Sequence, residues 1–132
     1  VKLVVHVDGG ARGNPGPAAA GAVVSTPEGE VLDESSELLG VASNNVAEYR
    51  GLLLGLRRAR ELGASEVEAI NDSELIAKQV NGLYKVKHAD MKPLHAAALE
   101  SLSAFERWTV RTVRREQNAR ADSLVNAALD SA

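Results

Sequence analysis

The chain has 132 residues, 18 Asp and Glu against 15 Lys and Arg for a net charge of -3, and is 45% hydrophobic and 25% charged, which excludes a disordered or collagen-like polymer and fits one soluble globular domain. It has no Cys, so a disulfide framework, a thiolate nucleophile, a zinc ribbon and an iron-sulfur site are all excluded. Its longest apolar runs, Ala18 to Val24 and Leu52 to Leu56, are far shorter than the roughly 20 residues of a membrane span; no membrane partner and no signal peptide are read, and the default compartment is cytoplasmic.

Aromatic residues are limited to Tyr49, Tyr84, Phe105 and Trp108, so the core must be built from Val, Leu, Ile and Ala. Lys2 to Val7 is short and β-branched-rich and is stopped by Asp8-Gly9-Gly10, which predicts a strand ending in a turn. Gly9 to Pro17 reads as neither helix nor strand. Ala20 to Thr26 predicts a second strand, Pro27-Glu28-Gly29 a turn and Val31 to Leu39 a third strand, an antiparallel meander. A helix follows from about Asn45 to Leu62, capped by Asn44 and Asn45 and ended at Gly63, with Glu48 in its first turn. Val67 to Ile70 predicts a short buried strand, and Asp72-Ser73 caps a helix that runs to Val80 and stops at Asn81-Gly82. Residues 83–91 are basic and irregular, Pro93 to Phe105 is an Ala/Leu helix, Trp108 to Val113 a strand and Ala119 to Leu129 a last helix. This order predicts an α/β fold, a mixed five-stranded sheet flanked by helices, with strands 1 to 3 antiparallel and strands 1, 4 and 5 parallel through helical crossovers. No repeat or linker divides it, and residues 1–132 read as a single domain.

The glycine-rich segment lacks the Gly-Lys-Ser/Thr of a phosphate loop and is followed by a strand, not a helix. Two readings stay open: a chain-reversing turn, or a segment whose bare backbone N–H groups approach a nucleic-acid strand. Four acids stand out by position, Asp8, Glu48, Asp72 and Asp122. Singly each has a structural explanation, Asp72 as an N-cap and Glu48 as an acid favoured by the helix dipole. Sites in open α/β sheets, however, lie at the carboxyl ends of parallel strands, where Asp8 and Asp72 fall. Clustered carboxylates repel unless a hard cation neutralises them, and Mg²⁺ takes oxygen ligands while keeping waters and phosphates in its shell. Two such ions together activate water and stabilise the leaving oxygen of a phosphodiester.

Val7-Asp8-Gly9-Gly10, Gly13-Asn14-Pro15-Gly16, Ser43 to Tyr49, Asp72-Ser73-Glu74-Leu75, Gln79-Val80-Asn81-Gly82 and Asn118 to Asp122 stand in the order and spacing of type 1 ribonuclease H. Over essentially its whole length the chain resembles the compact bacterial and archaeal branch of that family. The resemblance implies a ribonuclease H-like fold in which Asp8, Glu48, Asp72 and Asp122 hold two Mg²⁺ ions, with Mn²⁺ as a substitute. It implies contacts to an RNA/DNA hybrid from Gly9, Gly10, Arg12, Gly13, Asn14, Ser43, Asn44 and Asn45, and endonucleolytic hydrolysis of the RNA strand to 5′-phosphate and 3′-hydroxyl ends; the sequence does not specify an oligomeric state, and a monomer is the default expectation. The alternatives are a non-catalytic hybrid-binding module and a DNA nuclease or resolvase of the same fold. The chain departs from the family pattern in three places. Arg114-Arg115-Glu116-Gln117 fill the loop where many members carry a His, the basic protrusion is missing, and Glu74 stands where a Gln is common, adding a negative charge near the RNA path.

The net charge is not that of a generic nucleic-acid binder, but its distribution is uneven. No Lys or Arg lies between Arg12 and Arg50, while Glu28, Glu30, Asp33, Glu34 and Glu37 crowd one hairpin, which the sequence places on the face away from substrate. Lys78, Lys85, Lys87 and Lys92, with Tyr84 among them, are placed either to track a DNA backbone or to form a solvated face. Arg57, Arg58 and Arg60 read as a solvated helix face.

Overall fold

The computed structural model describes residues 1–132. Its strands are β1 (Lys2–Ala11), β2 (Gly16–Ser25), β3 (Val31–Ala42), β4 (Glu66–Asn71) and β5 (Arg107–Thr112), and its helices α1 (Asn44–Glu61), α2 (Glu74–Val80), α3 (Lys92–Ser103) and α4 (Ala119–Asp130), the last entered through a 3₁₀ turn at Arg115–Asn118. The five strands form one sheet in the order β3-β2-β1-β4-β5. β1 pairs antiparallel with β2, and β2 with β3; β1 pairs parallel with β4, and β4 with β5, as the sequence predicts. No helix is long and apolar enough to cross a membrane.

The glycine-rich segment is where the sequence reading fails. β1 runs on through Asp8, Gly9 and Gly10 to Ala11, with Gly9, Gly10 and Ala11 facing Ala20, Ala19 and Ala18 of β2. The turn is only Arg12 to Pro15, closed by the Arg12 N–H donating to the Pro17 carbonyl at 2.8 Å, with a cis Asn14–Pro15 bond and Gly13 at φ +96°. Within the segment Gly13 and Gly16 serve this turn, whereas Gly9 serves packing against a helix, as do Gly51 and Gly21 elsewhere. A Cβ on Gly9 would run into the carbonyl of Ala47 in α1, and one on Gly51 into the carbonyl of Asp8. A Cβ on Gly21 would crowd the Ala121 carbonyl of α4. Glycine was read as a turn signal, whereas a helix backbone lying directly on a strand demands it equally.

Helix starts also shift. Ser43, not Asn44 or Asn45, caps α1, its hydroxyl accepting from the Val46 N–H at 3.2 Å. Ser73 alone caps α2, accepting from the Ile76 N–H. Pro93 falls in the first turn of α3, which begins at Lys92 and ends at Ser103; a ring without an N–H is tolerated there because that donor has no intrahelical partner.

The main core lies between the sheet and helices α1, α2 and α3, built from Leu3, Val5, Val7, Ala22, Val24, Leu52, Leu56, Ile76, Ala98 and Leu102 among others. Inside it the buried Tyr49 hydroxyl donates to Gln79 Oε1 at 2.6 Å, and the His95 ring meets the Gln79 carbonyl at 3.1 Å, tying α1, α2 and α3 together. α4 covers the opposite face through Ala19, Val125 and Leu129.

Gly51→Ala tests the close approach of α1 to β1. In an isolated helix the change gains about 1 kcal/mol of propensity, but here the added methyl meets strand backbone that cannot give way. A net loss of about 1–3 kcal/mol is expected, read as a lower denaturant midpoint; a gain in stability would show that the two backbones can part.

Candidate active site

Asp8 is not at the end of β1 but inside it, opposite Gly21 of β2. The ladder between β1 and β4 nonetheless stops at His6 and Ile70, while β4 stays paired with β5 as far as Asn71 and Thr112. Asp8 therefore stands just past the point where β1 and β4 part, and Asp72 follows the last residue of β4. β1 is also the strand at which the sheet changes from antiparallel to parallel pairing, the position where α/β sheets open a crevice.

There a cleft of about 420 Å³ is lined by all four acids, Asp8, Glu48, Asp72 and Asp122, together with Gly9, Gly10, Arg12 and Asn44. With Ser73 as the cap of α2, the N-cap explanation of Asp72 falls. With Ser43 as the cap of α1, no acid lies in that helix's first turn, so the dipole explanation of Glu48 weakens too. The remaining expected contacts lie outside the cleft. Gly13 and Asn14 form the β1–β2 turn; Ser43 is engaged as a cap; Asn45 sits in the first turn of α1. Lys85 lines a different groove beside Tyr84 and Lys92, while Lys87 lines neither.

The turn is stitched to α1: the Ala11 N–H donates to Asn44 Oδ1 at 2.8 Å, and the Asn44 N–H to Asn14 Oδ1 at 3.0 Å. Both amide oxygens are thus occupied within the protein, leaving the two Nδ2 groups as donors. Arg12 is held over the cleft by Asp130 at 2.6 Å. Glu74 pairs with Lys78 at 2.6 Å within α2, so the negative charge that the sequence placed near the RNA path is matched inside its own helix.

Two groups in the cleft, Arg115 and Asn126, and one beneath it, Asn118, bear on the acids although the sequence does not single them out as site residues. Arg115 stands 3.8 Å from Asp122 Oδ1, and Asn126 donates to Asp122 Oδ2 at 3.3 Å. Asn118, buried, donates to the Val7 carbonyl at 2.8 Å and so fixes the start of α4 beside Asp8. The i, i+4 spacing of Asp122 and Asn126 was a usable signal; nothing in the sequence pointed to Asn118 bridging to β1.

The electrostatics are those of crowded like charges. Burial, and then the charge of Asp72, raise the Asp8 pKa to about 8. Glu48 is raised by burial and by Asp72, opposed by the Ser73 hydroxyl. Asp72 is raised by burial, with Arg115 and the Asn118 amide opposing. Glu48 Oε2 is buried without any hydrogen-bond partner, a state that costs roughly 1–3 kcal/mol or more for a charged group unless something is bound to it. The acids line an open cleft and do not form a closed cage: no three Asp, Glu or His side chains are set to hold a metal ion as they stand.

The hairpin acids, which the sequence places together on one face, are divided between the two faces of the sheet. Asp33 and Glu37 turn toward α1, where Arg58 grips Asp33 through two hydrogen bonds of 2.9 and 3.0 Å and Arg57 meets Glu37 at 3.2 Å. Glu34 turns the other way, to Arg120 of α4. Arg57 and Arg60 are exposed, as the sequence expects, while Arg58 is half-buried in its pair with Asp33.

A five-stranded mixed sheet with this order, and acids gathered where β1 and β4 part, define a ribonuclease H-like protein. The reverse transcriptase-like family profile matches residues 6–128. The crystal structure of ribonuclease H1 from the archaeon Halobacterium salinarum superposes with a TM-score of 0.98 at 38% identity, each chain covered over 100% of its length. The N-terminal ribonuclease H domain of Mycobacterium tuberculosis Rv2228c, solved as a fusion with maltose-binding protein, gives 0.96 at 48% identity over 99% of this chain and 95% of that one. LC11 ribonuclease H1, solved in complex with an RNA/DNA hybrid, gives 0.93 at 41% identity over 98% and 97%. The chain belongs to the ribonuclease H family, in its type 1 branch. It spans 36% of the length of the full Rv2228c chain, described as a bifunctional protein.

The raised Asp8 carries a linkage consequence. Its folded-state pKa of about 8 lies above the ordinary 3.8, so protonation favours the fold; the contribution is complete below about pH 4 and lost as pH rises through about 8. Without divalent metal, Asp8→Asn should melt higher than the parent protein at pH 8, by roughly 2–8 °C, and the gap should close toward pH 4. A gap independent of pH in a series of thermal melts would refute the repulsion account.

Proposed function

We propose that the protein hydrolyses the RNA strand of RNA/DNA hybrids, leaving 5′-phosphate and 3′-hydroxyl ends, with two Mg²⁺ ions, or Mn²⁺ in their place, held by Asp8, Glu48, Asp72 and Asp122. The single observation that carries the reading is the buried, unpartnered Glu48 Oε2 in a cleft shared with three further carboxylates. An oxygen-only donor set suits a hard cation, and a bound cation would relieve both the orphaned oxygen and the repulsion that raises Asp8. When bound, the ions supply an activated water and charge stabilisation at the leaving oxygen.

The chain's own residues then bind and orient. No Ser, Thr, Cys or His lines the cleft, so no side chain there is suited to be the nucleophile, and water takes that part. The free Nδ2 groups of Asn14 and Asn44, beside the backbone of Gly9 and Gly13, are donors suited to ribose 2′-hydroxyls, the group that separates RNA from DNA. Arg12, steadied by Asp130, is suited to a backbone phosphate, as are Lys85 and Lys87 beyond α2. The hybrid bound to LC11 ribonuclease H1 supports the same substrate class.

The test is incubation with Mg²⁺ and end-labelled RNA/DNA hybrid, double-stranded RNA, single-stranded RNA and duplex DNA. Only the hybrid should be cut; binding without cutting would leave a non-catalytic module, and cutting of duplex DNA a resolvase-like enzyme. Asp72→Asn should lower hydrolysis by on the order of 10³-fold, the loss of several kcal/mol of transition-state stabilisation, while hybrid binding persists.

Asp122 is held differently, half-exposed on α4 between Arg115 and Asn126, and its neutralisation should matter less. Asp122→Asn is expected to keep at least about tenfold more activity than Asp72→Asn. With Arg115 in place of a loop His, product release is expected to limit turnover, seen as an initial burst in rapid-quench assays. Equal inactivity of the two variants, with no burst, would reject this ranking.

A further inference from the structure

The two edges of the sheet are β3 and β5, and the fold treats them differently. An open edge presents unpaired N–H and C=O groups to any extended chain, and proteins blunt it with short strands, free charges or a covering group. β5 is blunted in this way: it has six residues, and its Val110 carbonyl is taken by Asn81 Nδ2 at 2.9 Å. β3 has twelve residues with no Lys, Arg or Pro among them, and beyond its ladder with β2 nothing hydrogen-bonds to the main chain of residues 33–38. Four of the nine exposed large apolar side chains of the protein, Val31, Leu32, Leu38 and Val41, stand on this strand.

The acids of β3 do not guard it either. Arg58 and Arg57 of α1 hold Asp33 and Glu37, and Arg120 of α4 holds Glu34. Each charge is thus drawn onto a face of the sheet and compensated there, which leaves little repulsion along the edge itself. The strand is regular between Asp33 and Leu38, with an irregularity in its pairing to β2 on either side, at Leu32 and at Leu39.

We propose that a second copy of the chain pairs with this edge, β3 against β3, antiparallel about a two-fold axis through Ser36, so that the five strands of each copy join in one continuous sheet. Residues directly opposite in an antiparallel pair share a face of the sheet. A two-fold axis between the strands preserves faces, so it must pass through a residue and not between two. An axis at Asp33, Glu34 or Glu37 sets an acid against its own copy, one at Ser35 sets Asp33 against Glu37, and one at Leu38 lies beside the irregularity at Leu39. Like charges directly opposite are unfavourable. The axis at Ser36 leaves no acid opposite an acid and stays clear of both irregularities: Ser36 meets Ser36, Glu34 meets Leu38, and Ser35 meets Glu37. β1 and β4, where the cleft opens, lie two and three strands in from this edge, so both copies keep an open cleft.

The pairing is tested on the intact chain, which has no Cys. Light scattering should show the mass rising from monomer toward dimer as concentration increases. Residues directly opposite in an antiparallel pair have Cα atoms roughly 4.5–5.5 Å apart, within the span of a disulfide. Ser36→Cys should therefore link to its own copy when its thiols are oxidised by copper phenanthroline in air, and Leu38→Cys, which faces Glu34 in this register, should link about tenfold less. Leu38→Glu places like charges opposite each other on both sides of the axis and should dimerise about tenfold more weakly than Leu38→Lys, which places opposite charges there. A monomer mass at every soluble concentration, equal linking of the two cysteine variants, or equal dimerisation of the Glu and Lys variants would each overturn the proposal. Nucleic acid enters none of these measurements, so the interface stands or falls separately from the proposed activity.

Discussion

Two helices lie backbone against backbone on the central strands, and the positions of the acids follow from those contacts. α1 touches β1 where the Ala47 carbonyl meets Gly9 and where Gly51 meets the Asp8 carbonyl; α4 touches β2 where the Ala121 carbonyl meets Gly21. Gly21 is the cross-strand partner of Asp8. Glu48 and Asp122 each follow, by one residue, the alanine whose carbonyl rests on a strand glycine. The glycines thus set the depth at which both helices ride, and that depth brings Glu48 from one side of the sheet and Asp122 from the other toward Asp8. Larger residues at Gly9 or Gly21 would lift the helices and spread the carboxylates, whatever happened to the carboxylates themselves.

Holding those acids together is unfavourable in itself. Burial and mutual repulsion raise Asp8, Glu48 and Asp72, and one Glu48 oxygen is left without a donor. The opposing contributions are few and local: the Ser73 hydroxyl at Glu48, and Arg115 and Asn118 at Asp72. The core between the sheet and α1, α2 and α3 offsets the rest, with Tyr49, Gln79 and His95 linking the helices inside it. Stability is stored on one side of the fold and consumed at the cleft, the usual relation between a packed scaffold and a preorganised polar site.

What the sequence revealed divides along physical lines. Apolar periodicity located every strand and helix, and the order of elements was enough for the mixed sheet, because right-handed crossovers leave few topologies. The four acids were legible because each interrupts an apolar setting, and the cleft brings all of them together. Backbone proximity was not legible. Asp8-Gly9-Gly10 carries the composition of a turn, and only the location of α1 explains why a strand there needs glycine. Cap identity failed similarly: Asn44 looks like a cap, yet its side chain is used by the Ala11 N–H, which leaves the cap to Ser43. Asn118, Arg115 and Asp130 act through partners far away in sequence, and no local pattern announces such a contact.

Charge shows the same division between composition and place. A net of -3 argues against nucleic-acid binding only if the acids are free to repel a phosphate backbone. Asp33, Glu34 and Glu37 are not free, since Arg58, Arg120 and Arg57 hold them against the helices that cover the two faces of the sheet. These pairs brace an edge strand whose exposed Leu38 and Val41 contribute little packing. The cations without a carboxylate partner are Arg50, Arg60, Lys85, Lys87, Lys92 and Arg114, and they fall in three places: α1, the connection from α2 into the start of α3, and the turn leading into α4. A polyanion approaching the last two meets positive charge that is not internally compensated, so a protein acidic in sum presents basic ground where its local structure leaves cations unmatched.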